Sequence, residues 1–240
     1  MQKDRLEKTK ICLVNPRLVG PYPPLGLAYL ASYLKKYGSN NYEIKIIDGN
    51  CVKNISNEVL KFNPAVVGFT ALSPQIKDAI DLSVFLKSRR PDIFQVIGGV
   101  HVSAEPEQTL KKGGFDLAVI GEGEETFKDV IDVFIQNGKD KSSYQNINGV
   151  ALLDNAKLMI SPPRDEICIL DNIPVPDRSL LNMRNYLSNY LIIRGLGGDR
   201  ITTIHTSRGC PYDCIFCSYG IVFKKVRYFS VDYVVYEKKD

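Results

Sequence analysis

Three of the six cysteines fall within eight positions, in the run Cys210-Pro-Tyr-Asp-Cys214-Ile-Phe-Cys217. The other three, Cys12, Cys51 and Cys168, are isolated. The first ten residues are charged and lack the apolar core of a signal peptide, so a cytoplasmic location is expected. In a reducing compartment a C-x3-C-x2-C run points to metal or redox chemistry rather than to disulfides. Three thiolates on one short loop can wrap an iron–sulfur cube, each binding one iron. A cube held this way keeps its fourth iron open to substrate or cosubstrate, unlike the closed site of an electron carrier. Gly209 and Pro211 suit a loop that bends tightly around such a group. The plainer alternative is a structural zinc site with His205 as the fourth ligand, although zinc sites more often use two C-x2-C pairs or paired cysteines and histidines.

Such a loop needs a scaffold, and most of the 240 residues read as one. From about residue 10 to residue 136 strands and helices alternate, the pattern of an α/β domain with a parallel sheet. Strands are expected at Ile11 to Val14, Tyr42 to Ile47, Ala65 to Ala71, Phe94 to Ile97 and Leu117 to Ile120. Helices are expected at Leu25 to Tyr37, Ile55 to Phe62, Pro74 to Arg89, Glu105 to Lys112 and Glu125 to Ile135. Five such units suit a flavodoxin- or Rossmann-like doubly wound sheet, whose ligand lies beyond the carboxyl ends of the strands. After Gly138 the pattern changes to a hairpin, Gly149 to Leu153 with Lys157 to Ile160, and then a proline-rich linker. A helix around Ser179 to Leu187 and a glycine-rich stretch at Gly195 to Gly198 follow, and Ile201 to Thr206 reads as a strand delivering the cysteines.

Composition excludes several function classes. With 44% hydrophobic and 24% charged residues the chain is an ordinary globular protein, neither disordered nor fibrous. A net charge of +4, with no basic stripe, gives no case for nucleic-acid binding. The apolar run from Ala65 to Leu72 is far too short to span a bilayer. There is no G-x-G-x-x-G or Walker loop, and the carboxylates of Glu122, Glu124 and Glu125 at the start of the last helix oppose a phosphate there. A dinucleotide or flavin is therefore disfavoured.

Thr206-Ser-Arg-Gly-Cys210-Pro, together with Phe216-Cys217-Ser218, resembles the cluster loop of radical S-adenosylmethionine (SAM) enzymes. The resemblance implies that Cys210, Cys214 and Cys217 bind a 4Fe–4S cluster, that SAM chelates its open iron, and that Phe216 lies near the adenine. One electron into the sulfonium would release methionine and a 5′-deoxyadenosyl radical, with a flavodoxin or ferredoxin as the reductant. No catalytic residue beyond the cluster ligands is singled out.

The strand ends upstream resemble the cobalamin-binding domain found in one branch of these enzymes, which includes the anaerobic magnesium-protoporphyrin monomethyl ester oxidative cyclase and many methylases. The matching residues are Asn15-Pro16, Pro23 to Leu30, Thr70-Ala-Leu-Ser73, Gly98-Gly99-Val-His101 and Gly121-Glu122-Gly123-Glu124. Cobalamin contacts are accordingly expected from Thr70, Ser73, Gly98, Gly99, His101, Gly121, Glu122 and Gly123. The hydroxyls can bond the nucleotide tail, and the glycine pair lets a flat group approach the backbone. These same residues also suit plain strand-end turns. The D-x-H-x-x-G motif that supplies a lower axial histidine in other cobalamin domains is absent.

The implied organisation is a cobalamin-type α/β domain at residues 10–138, a hairpin and linker at 139–200, and the start of a radical SAM partial barrel at 201–240. A full α/β barrel takes about 200 residues or more. The chain is therefore expected to be a fragment that does not turn over SAM alone. The implied activity is radical oxidation or cyclisation, or methyl transfer, on an unidentified small molecule. The alternative is a non-catalytic corrinoid-binding module whose cysteine loop is a remnant or holds zinc.

Overall fold

Continuous apolar strands demand cover on both faces, and the sheet supplies it. The structure is a computed structural model that describes residues 8–18, 22–39, 42–187, 203–212, 214–223 and 225–239. Five parallel strands form its centre: β1 (Thr9–Asn15), β2 (Tyr42–Asp48), β3 (Val66–Thr70), β4 (Phe94–Gly98) and β5 (Leu117–Val119). They lie in the order β2-β1-β3-β4-β5, the flavodoxin-like doubly wound arrangement. The strand order reverses between β1 and β3.

Alternation along β1 divides the core. Ile11 and Leu13 face α1 (Leu25–Tyr37) and α6 (Gly123–Asn137), in a cluster with Tyr29, Leu34, Phe94, Val96 and Phe127. Cys12 and Val14 face the other way, with Val67, Phe69, Ile97, Ala79, Leu86 and Leu110. That second layer comes from α2 (Ile55–Phe62), α3 (Ile76–Arg89) and α5 (Pro106–Lys112). Each such side chain contributes roughly 1.5–3 kcal/mol on full burial, so both faces are well paid in apolar area. Burial also pushes the Cys12 thiol up to about 12, which makes it a small hydrophobe rather than a nucleophile.

Within the α/β units the helices are found close to their expected bounds, with one difference. Where a single helix over Glu105 to Lys112 is expected, a separate short helix, α4 (Val100–Ala104), comes first. Pro106 lacks the N–H needed to continue α4, so a new helix starts there.

The hairpin read after the α/β units belongs to the same sheet. β6 (Val150–Asp154) pairs antiparallel with β5, and β7 (Lys157–Ile160) pairs antiparallel with β6. Its two-residue turn places Asn155 at φ 47° and Ala156 at φ 63°, as a type I′ connection requires.

The proline-rich segment that follows is pinned to the domain. Arg164 pairs with Glu125 and Asp129 on α6, and Lys35 Nζ lies 2.5 Å from Asp177 Oδ2. At the far end the Tyr186 hydroxyl donates to Asp48 Oδ2. Asp48 belongs to a buried polar network at the β1–β3 reversal. Asn15 Nδ2 donates to Asp48 Oδ1 at 3.0 Å, and Gln75 Nε2 donates to Asn15 Oδ1 at 2.9 Å and to Pro16 O at 2.7 Å.

Two expectations for the later chain are corrected. The helix over Ser179 to Leu187 is instead a 3-10 turn at Arg178–Leu180 and a four-residue helix, α7 (Arg184–Leu187). Within Ile201 to Thr206 the described residues, 203–206, form no strand. The strand is β8 (Ser207–Arg208), paired antiparallel with β9 (Arg227–Tyr228) and followed by α8 (Val231–Lys239). Apolar alternation does not decide this pairing, because its buried side chains are two arginines. The stretch Gly195 to Gly198 lies outside the described residues. No helix among the described residues is long and apolar enough to cross a membrane.

Tyr186→Phe is expected to leave a buried Asp48 oxygen short of its strongest donor and to cost about 1–3 kcal/mol. Urea unfolding should show a lower midpoint at unchanged slope.

Candidate functional site

The carboxyl ends of β3, β4 and β5 open into a cavity of about 350 Å³. Its floor is Gly68, Val96 and Val119, and its walls are Leu27 and Leu30 of α1 and Phe127 of α6. The rim carries Thr70, Gly98, Gly99 and the turn Gly121–Glu124. The far side comes from the cysteine-bearing segment, through His205, Ser207, Arg208, Tyr219, Val222 and Phe223. Two regions far apart in sequence therefore build one site.

The glycines shape it. Gly99 sits at φ +107°, and a Cβ there would stand 2.8 Å from the Ala71 carbonyl oxygen, so only glycine fits this sharp strand end. At Gly26 and Gly121 an added Cβ would meet nothing within 4 Å. The backbone at those points borders open space that a ligand can approach closely.

Of the expected cobalamin contacts, Thr70, Gly98, Gly99, Gly121, Glu122 and Gly123 line this cavity. Ser73 and His101 do not; Ser73 Oγ and His101 Nδ1 lie 3.0 Å apart and bond each other. Glu122 lines the cavity with its carboxylate already committed. Its Oε1 accepts from Arg208 Nη1 at 2.9 Å and from Arg227 Nη2 at 3.0 Å, and its Oε2 accepts from Arg227 Nη1 at 2.8 Å and from the Ile167 amide at 3.0 Å. Glu124 accepts from Arg208 Nη2 at 2.5 Å, and Glu125 pairs with Arg164.

All three carboxylates of the turn thus have an arginine. This revises the charge reading made from sequence, because a neutralised rim does not repel an anion as bare glutamates would. Burial alone would raise the pKa of Glu122. The hydrogen bonds from Arg227 and Arg208 overcome that and hold it below the usual carboxylate range.

Behind the rim lies a second polar set that sequence reading missed. The Tyr29 hydroxyl, on a fully buried ring, donates to Glu237 Oε2 of α8 at 3.3 Å. Arg178 Nη2 donates to Glu237 Oε1 at 2.7 Å and to the Thr203 carbonyl at 2.8 Å. The Arg208 guanidinium lies 5.5 Å over the Tyr29 ring, a cation–π contact. The acidic run Glu122–Glu125 signals a need for cations such as Arg208, but no sequence pattern marks the Tyr29–Glu237–Arg178 set.

The cysteine loop spans β8 to β9. Cys210 is half-buried, whereas Cys214 and Cys217 are exposed, with the Cys217 amide donating to the Cys214 carbonyl at 3.0 Å. Among the described residues, no three His, Cys, Asp or Glu side chains stand close enough together to hold a metal ion. His205, considered above as a zinc ligand, stacks instead on Tyr29 with ring centroids 5.9 Å apart. Phe216 is 88% exposed and does not border the cavity. The loop still fits an iron–sulfur group by its donor set. All three thiols are free of disulfides, and soft sulfur ligands suit iron. Gly209, at φ +97°, could not carry a Cβ, which would fall 2.0 Å from the Lys225 carbonyl oxygen.

A doubly wound sheet with a glycine-lined cavity over its strand ends, closed by a cysteine-bearing hairpin, defines a cofactor-binding α/β protein. The sequence matches the B12 binding domain over residues 11–131, half of the chain, and the protein belongs to that family. It is 36% identical, over 95% of its length and 49% of the relative's, to an uncharacterised methyltransferase of Pyrococcus horikoshii. It is 28% identical to the anaerobic magnesium-protoporphyrin IX monomethyl ester cyclase of Cereibacter sphaeroides, over 84% of this chain and 32% of that one.

Two solved structures share the fold. The cobalamin-dependent S-adenosylmethionine radical enzyme OxsB, with aqua-cobalamin bound, superposes with a TM-score of 0.75 at 22% identity, covering 97% of this chain and 31% of that one. The radical S-adenosylmethionine methyltransferase TsrM of Kitasatospora setae gives 0.68 at 20% identity, covering 97% and 45%. The chain thus spans about half the length, or less, of the relatives it matches.

Two outcomes are expected from this geometry. Because the folded pKa of Glu122 lies below its unfolded value, its contribution to stability is present above about pH 4.3 and lost as the pH falls through the folded value. Urea midpoints measured against pH should therefore decline in acid, and Glu122→Gln should lack that part of the decline. Gly209→Ala should open the β8–β9 hairpin at a cost of roughly 1–3 kcal/mol. Limited proteolysis between residues 209 and 226 should then quicken while the main sheet stays intact.

Proposed function

We propose that this protein binds the cofactors of a cobalamin-dependent radical SAM methyltransferase. The observation that carries the reading is that the strand-end glycines and the cysteine segment line the same cavity. A cavity of about 350 Å³ could take the nucleotide tail of cobalamin, which Leu27, Leu30 and Phe127 would hold against the strand ends. The walls are apolar, as a planar aromatic base needs. Thr70 offers a hydroxyl at the rim, and the arginine-paired Glu122 and Glu124 leave the rim without net repulsion.

Cys210, Cys214 and Cys217 would hold the 4Fe–4S cluster, and Phe216 would meet the adenine of SAM. When bound, the cluster would supply the electron for the sulfonium, fed by an external flavodoxin or ferredoxin, and cobalamin would serve as the methyl carrier. What the chain itself would do is bind these three groups, exclude water with Leu27, Leu30 and Phe127, and keep the cysteine loop beside the cavity. Methyl transfer is preferred because the relative at 36% identity bears that name. Oxidative cyclisation is the second reading, supported by the cyclase relatives at 28% and 29% identity.

Anaerobic reconstitution tests the reading. Wild-type protein should take up cobalamin and roughly four irons per chain. Gly26→Leu fills open space from a helical position without strain, so it should weaken hydroxocobalamin binding at least about tenfold while leaving iron content and stability unchanged. Alanine at Cys210, Cys214 or Cys217 should abolish iron uptake and spare cobalamin. A colourless, zinc-loaded protein that still binds cobalamin would leave only a corrinoid-binding module.

A further inference from the structure

The hairpin that presents the cysteines is too short to hold its own place. β8 and β9 share two residue pairs, Ser207 with Tyr228 and Arg208 with Arg227. An isolated two-stranded ribbon is marginal in water even when much longer. The two strands are separated by a loop that carries Cys210, Cys214 and Cys217, much of it exposed.

What fixes the ribbon is its inward pair of side chains. Arg208 and Arg227 lie opposite each other across the ladder, and both guanidinium groups are directed at the β5–α6 turn. Side chains of Arg208, Arg227, Glu122 and Glu124 are all less than 10% exposed. Arg227 Nη1 also donates to the Ile167 carbonyl at 2.8 Å, and the Ile167 amide donates to Glu122. The turn, the linker and the hairpin therefore meet on one carboxylate.

We infer that Glu122, with Arg208 and Arg227, is a register lock that sets where the cysteine loop sits against the cavity, and that these three are positioning residues for the cluster. The link to a cluster rests on the function proposed above; the lock itself does not. A buried ion pair gives little net stability over an apolar substitute, and its best-attested use is to specify register. Here a one-residue slip would turn Arg208 and Arg227 away from the glutamates. Such a slip would leave Glu122 and Glu124 buried and unpaired, which strongly disfavours every other alignment. Glu122 also borders the cavity, so the residue that holds the loop is in reach of whatever fills the site.

Amide hydrogen exchange on the full cofactor-free chain tests the lock. Glu122→Gln and Arg227→Met should each raise exchange over residues 207–228 by about tenfold or more, while β1 to β5 stay within about twofold of wild type. The double variant should fall clearly short of the sum of the two single ones, since both break the shared Glu122–Arg227 pair. Arg227→Lys, which keeps the charge and loses the two-oxygen geometry, should fall between. In reconstituted protein, the electron paramagnetic resonance signal of the reduced cluster should be a single species in wild type and a mixture in Glu122→Gln.

Unchanged exchange over 207–228 in both single variants would overturn the lock, as would an equal rise across the whole sheet or fully additive effects. A single unaltered cluster signal in Glu122→Gln would overturn its positioning role. Should wild-type protein take up neither iron nor cobalamin while exchange behaves as expected, the proposed function falls and the lock stands.

Discussion

Three carboxylates at the end of a buried strand are the constraint around which the later part of the chain is arranged. Glu122, Glu124 and Glu125 follow β5 closely, and Glu122 and Glu124 are almost fully removed from water. A buried unpaired carboxylate costs several kcal/mol, so the fold is complete only when cations reach them. Arg164 comes from the linker, Arg208 from β8 and Arg227 from β9. Satisfying one turn of the α/β domain thus requires segments spread over more than sixty residues to fold back on it. The cysteine loop is carried along because it lies between two of those arginines.

The first half of the fold was legible because it is locally encoded. β3 is a continuous apolar run, α1 shows an apolar stripe, and Gly38 and Gly113 close helices at the ends that the sequence pattern marks. Strand ends that carry Thr70, Gly98, Gly99 and Gly121 are found at the cavity because a doubly wound sheet has one binding edge, whatever its ligand. The hairpin was legible too, although the sequence reading centres its turn on Asp154-Asn155 and the structure sets it one residue on, at Asn155-Ala156. That the hairpin extends the main sheet was not, since pairing of β6 with β5 depends on an edge that sequence periodicity does not mark.

The illegible part is ionic. Nothing local in Ser207-Arg208 says strand, and nothing in Glu122 says that its carboxylate is spent on Arg208 and Arg227 rather than on a ligand. Long-range ion pairs have no period and no fixed spacing, so a charge at a site edge looks the same whether it binds a cofactor or a neighbouring segment. Ser73 and His101 illustrate the same ambiguity on a small scale. Both stand at strand ends where ligand contacts gather, and in the structure each satisfies the other.

Pairing also changes what the cavity can accept. Bare glutamates beside the α6 N-terminus would exclude anionic ligands, and on sequence grounds they were read that way. With Arg208 shared between Glu122 and Glu124, and Arg227 added on Glu122, the rim is close to electrically balanced. Selection then falls to shape and to apolar contact. A pocket walled by Leu27, Leu30, Val119 and Phe127, with glycine backbone on its rim, favours a flat apolar group in its interior. The preference against dinucleotides survives, but its physical basis moves from repulsion by carboxylates to the apolar walls and to the absence of a G-x-G-x-x-G or Walker loop in the sequence. The guanidinium groups, held by Glu122 and Glu124, cannot replace such a loop.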